Sequence, residues 1–178
     1  MSEEEIMQET KGAYLCLIHP IRRDDAYRQE IAPVVALAPA VSDQLVATMI
    51  AGADWRGRIL GLCIGMAKRP ATFIEPVLRS LRDPRGIAIV PACAVLAVLA
   101  RRSSFVMPQS FSETIDRTAF DGEVGWAMDK AMHFAGSRTE DVPGRGPNYG
   151  QIFEDHVQAY SYICADNEIR EANAIWHP

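Results

Sequence analysis

No two cysteines of this chain form a CxxC pair. The four that are present, Cys16, Cys63, Cys93 and Cys164, stand far apart in apolar helical contexts. That pattern reads as buried, reduced thiols of a cytosolic protein and argues against a disulfide framework or a zinc site. A membrane span is also missing. The longest apolar run, 87–100, is shorter than the ~20 residues a spanning helix needs, and it contains Pro91. The opening residues are acidic, with Glu3, Glu4, Glu5 and Glu9, and lack the apolar stretch of a secretory signal. The expected location is the cytoplasm, with no membrane contact. Paired strand signals are absent too. GAYLCLIH at 12–19 has strand-like composition, but nothing nearby reads as a partner strand, so a helical turn or two ending at Pro20 is expected.

Catalytic signatures are equally scarce. Ser103, Ser104 and Ser161 have no nucleophile elbow around them. The loop GRGPNYG at 144–150 lacks the Lys-Ser/Thr end of a phosphate cradle and follows no strand. Glu154 and Asp155 are adjacent, so they point to different helix faces and do not make an acid/base pair. Asp129 and His133 lie four apart on one predicted helix, but no second such pair completes the three or four ligands of a metal site. No catalytic residue, metal or cofactor is expected.

What is present is helix. The chain has 178 residues, 48% hydrophobic and 23% charged, which suits one globular domain with a sizeable core. The central stretch, 54–69 (DWRGRILGLCIGMAKR), opens with Asp54 as an N-cap and closes on Lys68 and Arg69 before Pro70. Trp55, Ile59, Leu62, Cys63 and Met66 recur at helical spacing and predict one apolar face. Gly57, Gly61 and Gly65 fall four apart. Each glycine costs about 0.5–1 kcal/mol in a helix interior relative to alanine. A stripe of three is explained by the close approach of a neighbouring helix; the charges at Arg56, Arg58 and Lys68 exclude a membrane dimer of the GxxxG type. Around this stretch, helices are expected from Asp24–Asp25 to about Leu37, kinked or split at Pro33, and over 43–51 with Ser42 as cap. Thr72 and Glu75 have capping-box spacing, as do Ser110 and Glu113. The segment 91–102 is almost wholly apolar and reads as a buried central rod. A helix over 122–135 should stop at Gly136. The last helical segment, from Gln151 to about Trp176, follows a Gly/Pro loop.

A short helix, a turn with aspartate and a more apolar helix recur three times, with the second helices starting near Asp54, Asp83 and Asp121. The period of ~30–40 residues is that of helical-pair solenoids. The order Tyr14-Leu15, His19-Pro20, Asp54-Trp55-Arg56 heading a helix with Gly61, then 92–101 and Gly125-Trp126-Ala127, resembles a family of small, uncharacterised bacterial proteins with HEAT-like, armadillo-type helix pairs. The resemblance covers most of 12–136. It implies an all-α fold of antiparallel helix pairs stacked as a short HEAT-like α-α superhelix, with roughly seven to nine helices, and no catalytic residues. The implied organisation is an acidic, frayed tail at 1–11, the helical domain at 12–137, a Gly/Pro loop at 138–150 and a C-terminal helical segment at 151–178 packed on the same domain.

Charge is unevenly spread. Of the net −5, residues 43–110 carry nine Lys/Arg against four Asp/Glu, and residues 111–178 carry five against twelve. Arg79, Arg82, Arg85, Arg101 and Arg102 cluster at two predicted helix ends and, with Tyr149 in the loop, are the candidate partner-binding residues. Asp54, Trp55, Arg56, Gly57, Gly61 and Gly65 are assigned a structural role. The leading expectation is a non-enzymatic interaction protein that binds another protein, with toxin neutralisation (an immunity-type role) as one use. The alternative is a nucleic-acid-binding or DNA-repair protein using the Arg-rich face, which the acidic total disfavours.

Overall fold

Helix α5 (Trp55–Ala67) lies in the middle of the fold because every residue from Gly57 to Ala67 is buried. The computed structural model describes residues 1–18, 25–83, 87–103, 105–115, 122–136 and 150–164. Those residues form α1 (Glu3–Glu9), α2 (Tyr14–Ile18), α3 (Asp25–Ala36), α4 (Asp43–Ala51), α5, α6 (Ile74–Leu81), α7 (Ile89–Ser103), α8 (Gln109–Thr114), α9 (Gly122–Phe134) and a last helix, α10, over 150–164. Two 3-10 turns, Ala38–Ala40 and Pro70–Phe73, complete the list, and no strand occurs among the described residues. The described residues are all-α, with ten α-helices among them where seven to nine were expected for the chain.

Helix α5 packs against α2, α3, α4 and α7. It is therefore buried all round and not on one face. Its glycines explain how so many neighbours fit. A Cβ on Gly61 would lie 3.0 Å from the Ile50 backbone nitrogen and from the Met49 Cβ, both on α4. A Cβ on Gly65 would meet the Phe73 ring at 3.1 Å. At the head of α5, the Asp54 carboxylate accepts from the N–H groups of Arg56 and Gly57, each at 3.4 Å. Trp55 and Tyr14 of α2 meet edge to face, with ring centroids 5.5 Å apart, and the Arg56 guanidinium lies over the Trp55 ring at 4.5 Å. The Asp-Trp-Arg head is thus a cap, a packing residue and a lid on that residue.

Helix α7 is the second buried rod: Ala88 to Leu99 are all buried before the helix emerges at Arg101 and Arg102. Pro91 sits in its first turn, where a missing N–H costs little. The neighbour order is regular. Helix α4 lies beside α5 and α6, α6 beside α7, α5 beside α7, and α7 beside α9.

Several local expectations change. Residues Glu3–Glu9 form helix α1. Ser2 and Glu5 form a reciprocal capping box, in which Glu5 N–H donates to Ser2 Oγ (3.2 Å) and Ser2 N–H to Glu5 Oε2 (2.6 Å), and Ile6 is fully buried. Helix α3 runs through Pro33 without splitting. The Thr72–Glu75 capping box does not form, because the 3-10 turn Pro70–Phe73 runs directly into α6 and the Thr72 N–H is already spent on Arg69 O at 2.9 Å. Glu75 lies instead 3.9 Å from Arg79. Ser110 does not cap α8 either; Pro108 holds that position, and Glu113 accepts from Gln109. Lys68 and Arg69 do not simply face the carbonyls at the end of α5. Both pair with Asp43 at the start of α4, at 2.9 and 3.6 Å. These pairs tie the start of α4 to the residues just after α5. Gly136, at φ 72°, stops α9 as expected. Gly150 belongs to α10 and not to the preceding loop. Expectations that fall on Pro84 to Gly86, on Asp121 as a cap, on 137–149 and on 165–178 lie outside the described residues.

Candidate interaction surface

Two sets of polar groups stand out among the described residues, one inside the fold and one at its edge. The inner set is centred on Arg58. One turn into α5, this arginine is only 2% exposed. Its Nη2 lies 2.9 Å from Asp83 Oδ2, its Nη1 donates to the carbonyls of Ser80 and Asp83, and its Nε donates to Gly52 O. A buried guanidinium is tolerated only when its charge and its donors are satisfied. Here it ties the α4–α5 turn to the end of α6. In the sequence, Arg58 reads as one charge among several and Asp83 as a turn residue.

The outer set gathers where α7 and α9 end together. Arg101 lays its guanidinium over the Phe134 ring at 4.1 Å, with Glu154 of α10 at 3.8 Å. Arg102 donates to Ser161 O of α10 at 3.1 Å. Beyond α7, Met107 is buried and its N–H donates to Ala135 O at 2.9 Å, which pins the strap 105–108 onto the end of α9. That anchoring turns Val106 outward, 67% exposed. A Cβ on Gly136 would lie 3.7 Å from Val106 Cγ1, so the valine stands directly over the α9 stop. Beneath this edge runs an aromatic column. Phe134 stacks on Phe153 at 6.4 Å, and Phe153 meets the edge of Trp126 at 5.6 Å.

The candidate arginines divide into two pairs. Arg79 and Arg82 are exposed on the last turn of α6, and Arg82 lies over Phe111 of α8 at 5.6 Å. Arg101 and Arg102 are exposed on α7, and both reach α10. The pairs contact different elements. Arg85 and Tyr149 lie outside the described residues. Glu154 and Asp155 do point apart: Glu154 faces Arg101, while Asp155 is buried and accepts from Gln151 at 2.7 Å. Sequence reasoning missed Val106, Phe134 and buried His156, which stacks near Tyr160 with centroids 6.5 Å apart. The signal for Val106 was a lone β-branched residue just before Met107-Pro108, outside any helical period.

Among the described residues, three ionisable groups are displaced from their ordinary values. Burial pushes the Cys63 thiol up to about 12, so it is inert as a nucleophile. A hydrogen bond from Lys68 holds Asp43 below the usual carboxylate range. Glu3 is raised, first by burial and then by the nearby Asp54 carboxylate. Its carboxylate occupies the space a Gly57 side chain would fill. Among the described residues no three His, Cys, Asp or Glu side chains group as metal ligands, and no helix is long and apolar enough to cross a membrane. Comparison with protein-family models, curated proteins and solved structures finds no match.

Proposed function

We propose that this chain is a non-enzymatic, HEAT-like helical-pair protein that binds a protein partner through the arginines exposed at the ends of α6 and α7. The carrying observation is Arg101. Its planar cation is seated on an aromatic ring, with Glu154 at 3.8 Å, beyond a strong hydrogen bond. A guanidinium so held loses little freedom when it takes a carboxylate, and arginine and aromatic residues dominate interface energetics. The neighbour order supports the helical-pair reading: α5, α7 and α9 adjoin in succession, as the second helices of stacked repeats do. Neutralisation of a toxin is the use put forward first, and nucleic-acid binding through the same arginines is the competing reading.

The test compares the chain with a variant carrying Arg79→Glu, Arg82→Glu, Arg101→Glu and Arg102→Glu. A protein captured by the first and identified must re-form a complex of fixed stoichiometry from purified components, and the variant must lose it. Retention of duplex DNA at low salt by the first chain and not by the variant supports the competing reading instead. Equal behaviour of the two chains in both assays removes both.

A further inference from the structure

Resting on the protein-binding reading, we propose that the edge formed by Arg101, Val106 and Phe134 is the docking site for an acidic-aliphatic segment of the partner, in which a carboxylate stands beside a Leu, Ile or Val side chain. Two features at the end of α9 determine that chemistry, one on Phe134 and one over Gly136. The first is the Arg101 guanidinium. Its face is spent on Phe134 and its N–H edge is partly exposed, with the side chain 42% accessible. Guanidinium N–H edges match a carboxylate bidentately, a geometry that lysine cannot reproduce. The second is Val106, the most exposed of the large hydrophobic residues in the described chain at 67%. It sits on a fixed floor, since Met107 is buried and hydrogen-bonded to Ala135. An apolar side chain raised on an anchored strap gives an incoming aliphatic group a surface to cover without first ordering a loop.

The occupant follows from charge complementarity. A carboxylate on the partner competes with Glu154, which stands 3.8 Å from Arg101 and is itself 46% exposed. Displacing so weak a surface pair costs little. A purely acidic ligand leaves Val106 uncovered, and a purely aliphatic one leaves the guanidinium edge unmatched.

The probe is a short fluorescein-labelled peptide of repeating Leu-Asp-Leu-Glu, read by fluorescence anisotropy on the full chain. Arg101→Ala and Val106→Asp each weaken binding at least about tenfold. Arg101→Lys recovers only part of the loss, and Arg69→Ala, an exposed arginine just after α5, changes nothing. A matched Ser-Asp-Ser-Glu peptide binds the parent chain as weakly as the Leu peptide binds Val106→Asp. Circular dichroism of each variant confirms that the helices are kept. Equal binding by Arg101→Ala, by Val106→Asp and by the parent overturns the site. If Arg79→Ala or Arg82→Ala weakens the peptide instead, the protein-binding reading stands and this location fails. Concentration-dependent self-association removed by Val106→Asp makes a second copy the occupant and overturns the acidic-segment proposal, as does tighter binding of a single-stranded oligonucleotide.

Discussion

The α4–α6 region and the α7–α10 edge use the same residue types for opposite ends. In the first, an arginine (Arg58) is withdrawn from water and fully engaged by Asp83 and three carbonyls. In the second, an arginine (Arg101) is laid on a ring and left at the surface. Glycines in the first region make room for neighbours, Gly61 for the α4 backbone and Gly65 for the Phe73 ring. In the second, Gly136 ends a helix in a left-handed turn beneath Val106. The difference teaches that a basic residue in this sequence has no fixed meaning. Its neighbours along and across the helices decide whether it holds the fold or stays at the surface.

The largest effect that can break this comparison is at Gly61. Because the obstructing atoms include the Ile50 backbone nitrogen at 3.0 Å, no side chain can simply swing aside. Gly61→Leu should leave no cooperative unfolding transition in thermal circular dichroism. Gly61→Ala should cost about 1–3 kcal/mol of overpacking, less the helix-propensity gain. Gly57→Ala should be mild by contrast, because it displaces only the tip of Glu3.

Next comes Arg58→Ala. It should destabilise by about 3 kcal/mol and lower the melting midpoint by roughly 6–12 °C, since it removes the buried charge that faces half-buried Asp83 and a donor to the Gly52 and Asp83 carbonyls. Arg101→Ala should change stability by less than about 1 kcal/mol, as expected of an exposed cation–π contact and a weak ion pair.

The smallest effects are pH-linked and run in opposite directions. Asp43 has a lowered value, so its pairing with Lys68 contributes above the ordinary carboxylate range and is lost as pH falls through the folded value. Glu3 has a raised value, so its ionisation opposes the docking of α1, and that penalty lifts as pH falls through it. Denaturant titrations across the acidic range should show Asp43→Asn flattening the acid-side loss and Glu3→Gln raising stability at neutral pH. In the same native chain, iodoacetamide should spare Cys63, whose thiol burial holds at about 12.

What the sequence discloses is set by how local each signal is. Asp54 and Ser42 cap α5 and α4 through their own next turn, Pro70 and Gly136 mark ends, and the apolar run announces α7; these are contacts within four residues. Helix α1 was within that reach too, since Ser2 and Glu5 have the capping-box spacing, but the acidic run obscured it. The Arg58–Asp83 pair spans 25 residues and Arg102–Ser161 spans 59, and no periodicity encodes such partners. The all-round burial of α5 was hidden for a related reason. Glycines carry no apolar signal, so a helix packed through them reads as one-faced. The edge itself was half legible. Arg101 and Arg102 stood out by charge, while Val106 and Phe134 acquire meaning only when α7 and α9 end side by side.

The division between a holding arginine and a presenting arginine is tested most directly by taking Arg58→Ala and Arg101→Ala through the same two readings, melting midpoint and affinity for the Leu-Asp-Leu-Glu peptide at a temperature where both are folded. The account predicts that Arg58→Ala melts roughly 6–12 °C lower and binds as the parent does. Arg101→Ala should melt near the parent and bind at least about tenfold more weakly. Parallel losses of stability and affinity in both variants, or unchanged affinity in Arg101→Ala, would contradict it.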